Sequence, residues 1–134
     1  MSILNKFFSE GLQNTLLLNN NAGLSHKGPW VLAYPNTVLD RWYIGDFSAA
    51  EYTISCEFDS KNRDILKCLV VAGIDNANLN LYSRCATNID LIDIHAIKNN
   101  SFVDIVISPK TDRLKNTKVI YTANYFESQN NLKL

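Results

Sequence analysis

The sequence is 134 residues long, 46% hydrophobic and only 19% charged, a globular balance that excludes disorder of the body. Its 13 basic and 13 acidic residues cancel to a net charge of +0, which excludes a global field that would draw nucleic acid or an anionic membrane. No stretch approaches the roughly 20 consecutive apolar residues of a membrane-spanning helix. The length fits one domain, and so neutral and charge-poor a chain tends to associate.

Residues 1–29 read as an arm unlike the rest. Ile3, Leu4, Phe7, Phe8 and Leu12 recur at helical spacing, with Ser2 placed to cap and Gly11 interrupting. Met1 to Phe8 hold too short an apolar stretch for a signal peptide and no small-residue cleavage site, so manufacture in a reducing cytosol is expected. Thr15 to Leu18 follow as a short apolar run, then Asn19 to Gly23, and Ser25 to Pro29 read as loop. The arm carries more bulky apolar residues than a small sandwich covers. Either it packs across its own sheet or it packs on a neighbouring subunit, and a large exposed apolar patch favours the neighbour.

Strands begin at Trp30. Trp30 to Tyr34 is the first, closed by the turn pair Pro35-Asn36, and Arg41 to Phe47 is a short aromatic strand. From Glu51 to Phe58 every even position is apolar and every odd one polar. A strand sends successive side chains to opposite faces, so Tyr52, Ile54, Cys56 and Phe58 are expected inside and Glu51, Thr53, Ser55 and Glu57 outside. Asp59 to Asp64 reads as a hairpin loop. Ile65 to Ile74 is a longer run, with Leu66, Cys68, Val70 and Ala72 set against Ile65, Leu69 and Val71. Asn78 to Cys85 alternates with Leu79 and Leu81 inward. Ile89 to Ile97 has a weak helical pattern, which its β-branched content and asparagine-rich flanks overrule in favour of a strand. Phe102 to Ile107 and Lys118 to Phe126 complete the set, separated by a polar loop over Asp112 to Asn116, and residues 128–134 are a flexible tail. Asparagines crowd the turns, where their side chains mimic a turn and tolerate positive φ. Seven or eight short strands at near-regular spacing predict an all-β fold, an antiparallel sandwich of jelly-roll or meander type over residues 30–127.

Residues with catalytic potential are scattered. Asp93 and His95 share a strand face and would need Cys68 or Cys85 to make a nucleophile, base and orienting group; no local signature accompanies them, and a polar outward face explains both. The cysteines Cys56, Cys68 and Cys85 are odd in number, lack metal-like spacing and read as buried free thiols. His26 and His95 are too far apart in sequence for a zinc pair. Asp59 to Asp64 spaces oxygen ligands as a calcium loop would, but Lys61 and Arg63 oppose a cation and the glycine and glutamate of an EF-hand loop are missing. No glycine-rich phosphate loop occurs. No metal and no cofactor are expected, and no enzymatic activity. Trp30, Trp42, Tyr43 and Phe47 read either as a sugar-stacking platform or as core plugs and interface anchors.

Leu39 to Ile54, together with the blocks Leu69 to Ala72, Asn99 to Phe102 and Lys118 to Ala123, resembles the small virion structural β-modules of tailed phages, in particular those of T-even-like marine cyanophages. The resemblance covers roughly residues 30–129 and leaves the arm outside. It implies a sandwich built in a bacterial cytoplasm, incorporated in a virion, with no catalytic motif. The partners so implied are copies of the chain and other virion proteins, in a tail, baseplate, neck or capsid surface. The alternative partner is a host-surface glycan at a fibre or tail tip. The candidate contact residues are Phe7, Phe8, Leu12, Leu16, Leu18, Trp30, Trp42 and Tyr43.

Overall fold

A computed structural model describes residues 15–18 and 22–128. The strands are β1 (Thr15–Leu18), β2 (Ala22–Leu32), β3 (Thr37–Tyr43), β4 (Phe47–Glu57), β5 (Arg63–Ala72), β6 (Ala77–Ala86), β7 (Ile92–Asn99), β8 (Phe102–Pro109) and β9 (Thr117–Glu127). They form a six-stranded sheet of order β1-β2-β9-β4-β5-β6 and a three-stranded sheet of order β3-β8-β7. Every pairing is antiparallel, so the all-β sandwich is as expected. The helical pattern of the arm, Phe7, Phe8 and Leu12, and the tail after Ser128 lie outside the described residues.

The core lies between the sheets and follows strand parity. On β4, Tyr52, Ile54 and Cys56 are buried while Ser55 and Glu57 are exposed; on β5, Leu66, Cys68 and Val70 are buried while Ile65, Leu69 and Val71 are exposed. From the three-stranded sheet come Leu39, Trp42, Val103, Ile105 and Ile107. Leu79 packs on this core as expected. Leu81 lies opposite buried Cys68 but sits on the edge strand and stays exposed.

Chain order departs from a simple meander. β4-β5-β6 and β7-β8 are local hairpins, but β9 inserts between β2 and β4, strands far upstream of it. β2 begins at Ala22, upstream of the expected boundary at Trp30, so the loop expected over Ser25 to Pro29 is strand. A register break between Lys27 and Trp30 accommodates it. Gly28 has φ +121°, and a Cβ there would meet the Val119 carbonyl oxygen at 2.6 Å. A bulge lifts Gly28 and Pro29 out of the ladder, so the proline's missing N–H costs no pairing. The expected loop over Asp112 to Asn116 contains a 3-10 turn, Asp112–Leu114, that buries Leu114. Asn36, Asn100 and Asn116 take positive φ, as turn asparagines tolerate.

One ion pair ties the sheets together at an end. The Asp64 carboxylate on β5 is fully buried and accepts from Arg84 of β6 at 2.5 Å and from the Leu91 backbone N–H at 3.0 Å. Arg84 also donates to the Ile92 carbonyl oxygen of β7 at 2.7 Å. Removing Asp64 takes the buried acceptor from Arg84 and from the Leu91 N–H and leaves Arg84 with only the half-exposed Asp90, 3.3 Å away, as an acidic partner. Asp64→Ala is expected to cost about 3–5 kcal/mol. Equilibrium urea unfolding measures this, and a loss below about 1 kcal/mol would show that the pair does not hold the sheets.

Candidate interaction surface

β3 carries two constellations, one on each side of the three-stranded sheet. A register break between Val38 and Asp40 makes the difference: Leu39 and Asp40 both turn inward, while Val38, Arg41 and Tyr43 face out.

The inner constellation is polar and lies between the sheets. Asp40 Oδ2 accepts from the Tyr52 hydroxyl of β4 at 2.7 Å and from the Tyr125 hydroxyl of β9 at 2.5 Å. Trp42 Nε1 donates to the Tyr52 hydroxyl oxygen at 2.9 Å. Tyr121 joins as a further hydrogen-bond partner of Asp40. Burial pushes the Asp40 carboxyl above its ordinary range, against the hydrogen bonds from Tyr125, Tyr52 and Tyr121 that favour its charge. Burial and then the Asp40 charge raise Tyr52 well above the usual phenol value, so that hydroxyl stays a donor.

The outer constellation lies on the other face of the three-stranded sheet, where Asp104 and Val106 of the central strand are buried and the side chains around them are half exposed. Register places Tyr43, Phe102 and Asn99 in one row, Arg41, Asp104 and Ile97 in the next, and Val38, Val106 and His95 in a third. Val38, Tyr43, Ile97 and Phe102 are each 41–46% exposed. The Tyr43 and Phe102 rings lie 5.6 Å apart, tilted at 52°. Gly45 keeps the Tyr43 ring in place, because a Cβ at Gly45 would run into it. Arg41 Nε and Nη2 donate to the two oxygens of Asp104 at 2.6 and 3.0 Å, and its guanidinium stands 5.9 Å from the Phe102 ring centroid. The hydrogen bond from Arg41 holds Asp104 below the usual carboxylate range. Around the neutralised Arg41–Asp104 pair the face is therefore largely apolar and aromatic, with polar His95 and Asn99 on its β7 side.

The expected contact residues fall in different places. Tyr43 is on this face. Trp42 is not: strand parity turns it inward, where it is 5% exposed and bonded to Tyr52. Trp30 packs partly buried against the core, and Phe47 stacks on Tyr125 with centroids 4.9 Å apart. The four aromatics therefore form no common stacking platform. Leu16 and Leu18 belong to β1, opposite Leu24 and Ala22 of β2. Phe102, not singled out from the sequence, joins Tyr43; its opposite parity to buried Val103 was the available signal.

The set of Asp93, His95 and a cysteine does not assemble. Asp93 and His95 are on the outer face of the three-stranded sheet, with Asp93 paired to Lys110 at 2.8 Å. Cys68 is in the core, and Cys85 lies on β6 of the other sheet beside Ile65. Burial pushes the Cys56 and Cys68 thiols up to about 12, which keeps them protonated. Cys85 is exposed, contrary to the expectation of three buried thiols. Asp59 Oδ1 accepts from the Lys61 and Asn62 backbone N–H groups and from Asn62 Nδ2, so the calcium-like loop uses this oxygen internally. Among the described residues, no cluster of three or more His, Cys, Asp or Glu is arranged to hold a metal ion.

No protein-family model matches the sequence. No curated protein matches it either. Among solved structures, the chain is similar to the crystal structure of the Acinetobacter phage vB_ApiP_P1 tailspike protein, at a TM-score of 0.42 and 10% identity. The similarity covers 90% of this chain and 24% of the tailspike chain, so the chain spans about a quarter of that protein's length.

The inner constellation has a defined pH signature. Asp40 binds a proton more tightly folded than unfolded, because burial raises its pKa from 3.8. Its contribution to stability therefore falls as pH rises from the unfolded value through the folded one. In Asp40→Asn the amide oxygen still accepts from both hydroxyls and the charge is gone. The stability of Asp40→Asn relative to the parent should rise between pH 3 and 7, read as the difference in calorimetric Tm. A flat difference would mean that Asp40 is not the desolvated carboxylate. Asp40→Ala, which removes the acceptor of Tyr52, should cost about 1–3 kcal/mol at neutral pH.

Proposed function

We propose that the chain is a non-enzymatic structural β-module of a tailed-phage virion, acting through protein–protein contacts made by the outer face of the three-stranded sheet. Its partners are copies of itself and other virion proteins. The observation that carries the reading is the Val38, Tyr43, Ile97 and Phe102 face, half exposed around the neutralised Arg41–Asp104 pair. Interface centres are depleted of unpaired charge and enriched in aromatic residues and arginine, which is the composition of this face. The resemblance of Leu39 to Ile54 and its companion blocks to phage virion modules supplies the setting.

A second reading, a host-surface glycan as the partner, is favoured by the polar groups of Arg41, Asp104 and Asn99 beside two exposed rings. The tilt of 52° argues for the protein partner, because Tyr43 and Phe102 present no single flat platform to a sugar ring. Phe102→Ser separates the readings. An aromatic anchor at an interface is worth about 2 kcal/mol or more, so self-association or incorporation into particles should weaken about thirtyfold, with Tm within a few degrees of the parent. Analytical ultracentrifugation and particle co-sedimentation measure this. Unchanged association, together with glycan-array binding that Phe102→Ser abolishes, would replace the first reading by the second.

A further inference from the structure

β6 ends the six-stranded sheet, and among the described residues no strand pairs with its far side. An edge strand turns every second N–H and C=O away from its sheet, a template for one more strand. Proteins blunt such edges with short strands, bulges, proline or charged side chains. The other three edges carry such devices. β1 has only four residues, β3 holds Asp40, Arg41 and the break at Leu39, and β7 holds Asp93 and Lys98. β6 has ten residues, no proline, no lysine and one charge, Arg84, which Asp64 and Asp90 already engage near its end.

The first half of β6 is also short of cover. Ala77, Leu79 and Leu81 lie opposite Ala72, Val70 and Cys68, so all three face the core side. Ala77 and Leu79 pack against the core from its rim, but Leu81 stays 37% exposed because the sheet stops beside it. Asn78 and Asn80 take the outer face, opposite the exposed Val71 and Leu69. The regular stretch ends at Tyr82, which the register break leaves unpaired and whose hydroxyl donates to Glu51 Oε2 of β4 at 2.6 Å. A bulge twists an edge away from further pairing, so the open edge is Ala77 to Leu81.

We propose that Ala77 to Leu81 pairs antiparallel with the same five residues of a second copy, about a two-fold axis through Leu79. This register uses all five residues and keeps every core-facing side chain on the core side. Leu79 then faces Leu79 of the second copy, Ala77 faces its Leu81, and Asn78 faces its Asn80. The apolar side chains cover one another along the core side of the seam. The amides pair on the outer side, where each can both donate and accept. No like charges meet, because the stretch carries none. A two-fold contact demands a patch that complements itself, and this one does, which selects a second copy as the occupant. A five-residue seam is small, in the class of weak interfaces below about 1,200 Å² in total, so it operates where copies are held at high local concentration. It lies on the six-stranded sheet and does not depend on the face of the three-stranded sheet invoked above.

Position-specific disulfide trapping of the full chain tests it. Asn78→Cys and Asn80→Cys are made separately, each with Cys85→Ser so that the introduced thiol is the exposed one. The two are mixed at high micromolar concentration in a glutathione redox buffer, and the disulfides are mapped by mass spectrometry. Directly opposed Cβ atoms lie about 4.5–5.5 Å apart and diagonal neighbours about 7–8 Å, while a disulfide needs close to 4 Å. The bond between positions 78 and 80 should therefore exceed the 78–78 and 80–80 bonds about tenfold. Leu81→Lys should lower its yield about tenfold, the worth of one buried leucine contact, with the unfolding midpoint little changed. Ala77→Lys sits on the other side of the same contact and should do the same, so a folding failure of one variant leaves the other to decide. The yield should persist with Phe102→Ser, which disables the outer face of the three-stranded sheet. Equal yields of the three pairings, no disulfide above that formed in denaturant, indifference to both lysines, or loss of the disulfide with Phe102→Ser would each overturn the proposal.

Discussion

The sandwich is organised around a carboxylate that burial disfavours. Asp40 belongs to the small sheet, and the hydroxyls of Tyr52 and Tyr125 that bind it belong to the large one. An ionised group taken out of water is costly unless hydrogen bonds replace its hydration. Here they replace it in part, since the raised pKa shows desolvation outweighing the tyrosine donors. In exchange the network fixes position, because hydroxyl donors from two strands converge on one oxygen, which leaves β3 little freedom to slide. A one-residue slip would swap every side chain to the other face, turning Asp40 outward and driving the Arg41 guanidinium among tyrosines.

The outer face inherits its order from that constraint. With Asp40 and Trp42 held inward, Arg41 and Tyr43 must point out, and the central strand β8 supplies Asp104 and Phe102 in register. The bidentate pair then neutralises the only acidic side chain of its row, leaving apolar groups around it. The pair is half in solvent, with Arg41 exposed and Asp104 buried, and its partners are brought together by the register of β3 on β8 that the inner network also holds.

Much of the fold was legible in the sequence because β4 and β5 are regular and half buried. Period-2 alternation identified Tyr52, Ile54 and Cys56 as core without reference to any partner strand, whereas on β5 both parities are apolar and only the folded sheet shows that Leu66, Cys68 and Val70 face inward. Legibility ended where the ladder is irregular. The break at Leu39 puts two successive residues on the inner side, so counting parity from either end of β3 gives conflicting answers for Asp40 and Trp42. Gly28-Pro29 is a strong loop signal that a bulge absorbs inside β2. The insertion of β9 between β2 and β4 is a non-local pairing with no local signature. Asp40 could not be singled out either, since its tyrosines lie 12 and 85 residues away and only the folded sheet order gathers them.

Two carboxylates on adjacent strands of one small sheet thus respond to acid in opposite senses. Asp104 is held below 3.8 by the hydrogen bond from Arg41, so its contribution is complete at neutral pH and is lost only as pH falls through its depressed folded value. Asp40 lies above 3.8, so it takes up a proton first and the inner network gains stability as it does. Between those two folded values the core carries a neutral Asp40 while the outer pair is still closed. Mild acid therefore strengthens the docking of the sheets without disturbing the face that β3 presents. Only stronger acid opens the Arg41–Asp104 pair, and it then frees a guanidinium beside Phe102 while the strand beneath remains held by its tyrosines. The surface and the core of this sheet are uncoupled in pH because a single bulge assigns neighbouring acidic positions to opposite sides of it.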